Sequence, residues 1–574
     1  MHTVNSITKK NGEDRKIPLW RGINRPLNEE LGTYLRKWVP ISIVVGVMAG
    51  FGAVIFQFLL NAIWDISYTS FSLPWYLVLL IPAIGGLLAG IIIMRWAPET
   101  AGSGTDHIID AIHHHGGKVR ARIVPVKIAA SALTIGSGGS SGNEGPISQI
   151  SGGIASFVGS KLHFSRSDMR ILVITGMAAG WSAVFRAPLG SAIFAIEVPY
   201  KNDMESSAAI PSIISSVTSY LVFIPFGGAG PLFSSSLPNV TITADLLVIV
   251  LILGAVIGIV GIAFVLLMRR TTSLFRKSSI PLPAATFSGG LLVGIIGLEY
   301  PQVLGLGDGT IQLILDGTLI TVGLLVGLLI AKMVATSLTV GSGGSGGIFF
   351  PSLIIGGAVG GTMAMALNLQ PYPLFVLVGM GAMMAGVSKT PIAAAVLITE
   401  MVGGFIILVP LMVASTVSYV VTGKYTLYES QVTSSRIGVD FSTLGEIEVK
   451  DMMSKDPVFV DLKTTPRELS ELIKIHPHHL IPVVHEGRVI GIITRESIQQ
   501  RQDPDFTVSD IIQTKFHSIK ETSSAADAFE IMASEKISTI VVVKSDEDNG
   551  LVGVVTRIDI FNAMEHMDEK HHAF

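Results

Sequence analysis

One carboxylate, Glu144, stands in the stretch GSGGSSGNEGP (136–146), which is otherwise glycine, serine, asparagine and proline. The apolar run IVPVKIAASALTI precedes it, and a second low-charge run follows. A near copy lies further along the chain. VKIAASALTIGSGGSSGNEGP, from Val126, matches AKMVATSLTVGSGGSGGIFFP, from Ala331, without a gap. Lys127 pairs with Lys332, Thr134 with Thr339, Ser140 with Ser345 and Pro146 with Pro351. A second pair follows each copy: APLGSAIFAIE (187–197) and TPIAAAVLITE (390–400), with Glu197 opposite Glu400. Glycine-broken apolar segments at corresponding places in two repeats point to a midplane binding site in a transporter. Irregular backbone at membrane depth survives only where it is buried in protein or lines a polar cavity. Helix N-termini aimed into such a cavity offer free N–H groups and positive dipole ends, an anion site made of backbone. Only the first copy carries an acid.

The elements that must hold this site are membrane spans. The chain has 574 residues, of which 49% are hydrophobic and 14% charged. Soluble domains carry about 25% charged residues. Runs such as 41–63, 77–94 and 246–268 reach or exceed the roughly 18 apolar residues that cross a bilayer. The repeat covers about 40–225 against 245–425, and from about 445 the composition turns soluble. Segment 1–37 is polar and carries Lys9, Lys10, Arg15, Lys16, Arg21, Arg25, Arg36 and Lys37. Positive charge beside the first span places this end in the cytoplasm, and no apolar leader follows Met1.

The residues now carry a resemblance. The chain is similar to the CLC family of chloride channels and chloride/proton exchangers, fused to a tandem pair of CBS domains. GSGTD (102–106) resembles the family's GSGIP, GNEGP (142–146) its GREGP, and GIFFP (347–351) its GxFxP. YTLYES (425–430) places a tyrosine at the last membrane helix. The resemblance implies an all-α polytopic domain over 38–442, with about eighteen helices in two inverted halves. It implies a homodimer in membrane lipid, with one chloride pathway per subunit and both termini cytoplasmic in a multi-pass cell-membrane protein. By the same resemblance, Ser103 offers a hydroxyl to the central anion, Gly347, Ile348 and Phe349 a helix start with backbone N–H donors, and Tyr428 a phenol. Glu144 is then the gate: its carboxylate occupies an anion site and leaves when protonated or displaced. Neutral donors suit this task, because conduction needs binding weak enough to release the ion.

Three departures matter. The Ile-Pro after GSG is Thr105-Asp106 here, so the helix start presenting Ser103 differs. Asp106 could cap that helix or place negative charge at the inner mouth. The arginine of GREGP is Asn143, which removes a cation beside the gate, while Lys127 keeps the family's lysine position. Well-coupled exchangers carry two glutamates after the second motif; here Glu197 is followed by Val198. Valine there resembles channel members. The reading is a voltage- or pH-gated chloride channel or weakly coupled carrier. The alternative is a chloride/proton antiporter whose proton route uses no acid at 198. Glu197 stands open between proton handling and structure, and Glu400 is read as structural. A divalent-cation channel is the remote alternative, disfavoured by anion-selective helix starts.

In the tail, GIITRESI (491–498) matches GVVTRIDI (553–560), giving CBS domains at 447–503 and 506–566, each of α/β type with paired strands such as LIPVVHEGRVIGIIT. Thr556 and Asp559 match the ribose- and phosphate-contacting Thr and Asp of nucleotide-binding members, so ATP, ADP or AMP is the expected ligand. In the first copy the Asp position is Ser497. No nucleophile–base constellation or cofactor motif suggests an enzyme, no cofactor is required and no nucleic acid is expected. GSGGSG (341–346) lacks the preceding strand of a dinucleotide fingerprint. No cysteine occurs. HHH (113–115) and HPHH (476–479) are read as solvated loops rather than metal ligands.

Overall fold

Apolar runs broken by glycine and proline fold as helices of unequal length. The computed structural model describes residues 27–69, 74–235, 241–317, 321–433 and most of 444–563, leaving out 446, 456, 466–467, 470–471, 473–479, 495–496, 498–505, 536, 545–548 and 561. The basic residues up to Arg25 and the HPHH motif lie outside the described residues. The chain divides into two units, Met1–Ser435 and Arg436–Phe574.

The first unit is helical. Its first half runs α1 (Leu27–Trp64), α2 (Trp75–Trp96), α3 (Gly104–His114), α4 (Ile123–Gly136), α5 (Glu144–Lys161), α6 (Arg166–Phe185), α7 (Pro188–Glu197) and α8 (Ala209–Gly227). The second half runs α9 (Ala244–Lys277), α10 (Leu282–Glu299), α11 (Asp308–Asp316), α12 (Val322–Gly341), α13 (Phe349–Ala366), α14 (Tyr372–Ser388), α15 (Pro391–Val402) and α16 (Leu408–Thr422). α1 starts inside the segment expected to be an N-terminal tail. Nine helices among the described residues are long and apolar enough to cross a membrane. Several others, including α4, α7, α14 and α15, are apolar but shorter. This is an integral membrane domain.

Burial separates two classes of helix. α14 is buried from Leu374 to Ser388 and α13 over most of its length. Around them α1, α2, α9 and α10 turn Phe51, Ile55, Ile84, Leu88, Leu251 and Ile295 outward. In water so much exposed apolar area would be a liability; in lipid it is the matching surface.

The second unit holds two small sheets. β1 (Leu480–His485) pairs antiparallel with β2 (Arg488–Thr494). Their two-residue turn, Glu486-Gly487, has φ of 49° and 81°, the doubly left-handed turn that suits a tight hairpin. The other sheet orders β3 (Ser518–Lys520), β4 (Thr539–Val543) and β5 (Leu551–Thr556), with β3–β4 parallel and β4–β5 antiparallel. Helix α19 (Ala525–Ser534) follows β3, and the short α17 (Val449–Met452) and α18 (Val508–Ile511) precede the sheets. The two hairpins are the sequence repeat made visible.

Candidate anion-binding site

The two glycine-rich copies meet each other. Gly142 N–H donates to Gly347 O at 2.8 Å, and Gly347 N–H donates to Gly142 O at 2.7 Å. The matched threonines close the clasp crosswise. Ser140 N–H donates to Thr339 Oγ1 at 3.0 Å, and Ser345 N–H donates to Thr134 Oγ1 at 3.3 Å. Ser131 Oγ meets Ser345 Oγ at 2.8 Å, and Thr336 Oγ1 meets Ser140 Oγ at 3.2 Å. Broken backbone inside a membrane protein thereby finds its partners in the other repeat.

Three helix starts converge on this clasp. α5 begins at Glu144 and α13 at Phe349. α3 begins at Gly104, and a Cβ on Gly145 would press at once on Gly347 and Gly104. Glu144 is wholly buried. Its Oε1 accepts the Phe349 N–H at 2.6 Å, while its Oε2 has no partner. Trp181 Nε1 donates to the Glu144 carbonyl at 2.9 Å, and Phe185 stacks on Phe349 with centroids 4.7 Å apart. The carboxylate thus lies on the backbone donor of the opposite repeat's helix.

Two cavities lie beside these helix starts. A small one is lined by Ile348, Phe349, Ser352, Ser388 and Tyr428. A vestibule of about 610 Å³ is lined by Gln57, Asn61, Asn143, Arg186, Asp308 and Phe350 among others. Ser103 immediately precedes α3 without capping it; its Oγ is buried and without a partner. Lys127 Nζ holds the approach by donating to Thr100 O at 3.0 Å and Gly102 O at 3.1 Å. Asp106 neither caps α3 through its side chain nor stands free. Its Oδ1 accepts the Ser430 N–H at 2.9 Å, tying α3 to the loop that carries Tyr428.

A scan against protein-family models matches "Voltage gated chloride channel" over residues 85–423 and "CBS domain" over 449–502 and 508–566. A putative chloride channel protein ClcB-like from Ralstonia nicotianae is 30% identical, covering 64% of this chain and 88% of that one. The H(+)/Cl(-) exchange transporter ClcA of Salmonella arizonae is 31% identical over 64% of this chain and 82% of its own. The crystal structure of a slow cyanobacterial Cl-/H+ antiporter aligns with a TM-score of 0.60 and 26% identity, over 67% of this chain and 93% of that one. The chain belongs to the CLC family and carries tandem CBS domains.

Within that CLC frame several of the expected residues have definite hydrogen-bond partners. Gly347 is expected among the anion donors, but its N–H is taken by Gly142 O. Its N–H ties the repeats together, and the N–H that meets the Glu144 carboxylate is that of Phe349. Glu197 binds the start of α15. Its Oε1 and Oε2 accept Ile392 N–H at 3.2 Å and Ala393 N–H at 2.7 Å. Glu400 does the same for α7, accepting Leu189 N–H at 3.2 Å and Gly190 N–H at 2.7 Å. Each helix opens with proline, which has no N–H, and the other repeat's glutamate caps the next two donors. Val198 is fully buried, and Gln431 Nε2 donates to its carbonyl at 2.7 Å.

The histidine triplet also differs from expectation. His113 and His114 form the last turn of α3 rather than a loop. His114 and His115 do have an acidic partner, Asp110, at 2.9 and 3.4 Å, while His113 Nε2 meets Pro199 O at 2.9 Å. No group of three or more metal-ligating side chains occurs among the described residues. In the second unit, Thr556 and Asp559 bind each other: Thr556 N–H and Oγ1–H donate to Asp559 Oδ2 at 2.8 and 2.7 Å. Thr494 and Ser497 repeat the turn.

Asp308 escaped the sequence reading. It lies 205 positions after Ser103, the same offset as the main repeat, and GDGT (307–310) answers GSGT (102–105). Gly102 and Gly307 are both left-handed, with φ of 65° and 82°. Applying the known offset once more would have found it.

Proposed function

We propose that this chain exchanges chloride for protons across a membrane, with Glu144 as both gate and proton carrier. The observation that carries this reading is the Glu144 carboxylate on the Phe349 N–H. An anionic side chain on a backbone donor at a helix start is a stand-in for a transported anion. Protonation removes its charge and weakens that bond, so the donor passes to chloride. Ile348 and Phe349 then offer backbone, and Ser103 and Tyr428 hydroxyls. Relatives named as exchangers support the coupled reading over the channel reading. The channel remains the second reading, favoured by Val198 and by the commitment of Glu197 to a helix cap. A homodimer with cytoplasmic termini, in the cell membrane, completes the proposal on family grounds.

Reconstituted protein in liposomes, with chloride and pH followed together, tests it. A chloride gradient is expected to drive protons uphill. Chloride flux without proton movement would hand the function to the channel reading.

The CBS pair is proposed to sense adenine nucleotides. Thr556 and Asp559 must then open their mutual bonds or offer their remaining lone pairs. Saturable stabilisation of the full-length protein by ATP in thermal unfolding is the expected result. An unchanged transition at high ATP leaves the pair without that role.

A further inference from the structure

Two buried acceptors at the gate have no donor: Glu144 Oε2 and Asn143 Oδ1. Asn143 is only 3% exposed and lines the vestibule. Its amide is already oriented, donating from Nδ2 to Gln57 Oε1 at 3.3 Å, while Gln57 Nε2 donates to Asn61 Oδ1 at 2.9 Å. All three residues line the vestibule. A buried acceptor left unpaired is costly, so a water donor is the natural occupant beside it. The side chain that replaces the family's arginine thus leaves an unpaired acceptor on the residue next to Glu144, in the vestibule lining.

The vestibule also holds one carboxylate among its described lining residues, Asp308 at the start of α11. The second repeat has rebuilt the helix start that presents Ser103, with an acid in place of the hydroxyl. The groups facing Asp308 are Arg186 across the cavity, Lys332 from α12, and Asp65 in an adjoining cavity that shares Gln57, Asn61 and Asp308. Arg186 leans on Gly227 O and Lys332 Nζ donates to Val303 O at 3.0 Å. One arginine and one aspartate leave the vestibule's described lining near charge balance.

We propose that this vestibule is the proton port of the gate, with Asp308 receiving the proton and Asn143 orienting the water that delivers it. The inference rests on the antiport reading. A proton from solvent adds to the Asp308 carboxylate. It passes through water held by Asn143 Oδ1 to Glu144 Oε2. Asp308 returns to carboxylate, Glu144 becomes the neutral acid, and its Oε1 releases the Phe349 N–H.

The test uses full-length protein in liposomes with both ions recorded. Asp308→Asn is expected to lower proton flux by roughly tenfold. That is less than the roughly 10²-fold expected for a lost direct donor, because bulk water still reaches the cavity. Chloride flux should fall less, so the chloride-to-proton ratio rises. Asp308→Glu should restore coupling, and Asn143→Ala should reproduce the defect. Combined with Glu144→Gln, Asp308→Asn should change chloride flux no further. Wild-type coupling in both Asp308→Asn and Asn143→Ala overturns the inference alone. So does an equal slowing of chloride in the Glu144→Gln background, which would mark Asp308 as a determinant of chloride access only. Absence of proton movement in wild type overturns the antiport reading and this inference with it.

Discussion

Glu144→Gln is expected to pass chloride, to lose nearly all of its proton movement, and to lose the pH dependence of its flux. Glutamine keeps the shape and keeps an oxygen for the Phe349 N–H, which Glu144 Oε1 accepts at 2.6 Å. What it loses is the charge and the titration. Hydrogen bonds to charged groups contribute about 1.5–3 kcal/mol and neutral ones about 0.5–1.5. The closed conformer therefore loses on the order of 1 kcal/mol, which moves its population several-fold toward open. In wild type, chloride flux should rise as pH falls, since the protonated side chain holds the donor less well. In Glu144→Gln the flux should be flat with pH. The proton flux should drop by about two orders of magnitude, the scale of a removed proton-transfer group. Measuring chloride and proton rates over a pH series decides it. A variant that still pumps protons, or keeps the wild-type pH slope, removes Glu144 from its role.

The difference between what could and could not be read from residue order is physical. Glu144 was legible because a single acid in a glycine-rich break between apolar runs is costly to bury unless it meets an ion or a proton there. The two repeats were legible because Lys127 and Lys332 share a constant offset with their neighbours. The crosswise clasp of Thr134 and Thr339 was not read, although both residues were matched. A repeat alignment shows equivalence, and only folding shows that equivalents bond each other's backbone. Glu197 stays open in the sequence for a related reason. A carboxylate after an apolar helix can handle protons or cap another helix, and the donors it binds lie on α15, about 195 residues away. Gly347 and Phe349 are two residues apart, yet one N–H is spent on Gly142 and the other faces the gate. Motif position alone could not divide them.

Gly347→Ala is the sharper probe of the same gate, because it acts on the carboxylate without removing it. Gly347 has no left-handed φ, so alanine is allowed by the backbone. A Cβ there would overlap the Glu144 carboxylate, whose Oε1, Cδ and Oε2 are its three nearest atoms. Gly142 faces the same three atoms from the other repeat. The two glycines clasp the carboxylate from both sides, and a methyl on either evicts it. A flexible side chain moves at little cost, so the fold should survive while the closed conformer does not. At a pH where Glu144 is ionised, chloride flux should rise several-fold toward the Glu144→Gln level, and the proton count per chloride should fall. In a Glu144→Ala background the same methyl should do nothing, since no carboxylate remains to displace. That non-additivity is the signature of direct contact. If Gly347→Ala instead slows chloride equally in both backgrounds, the methyl is blocking the ion itself. The carboxylate and chloride would then not be competing for the space beside Phe349.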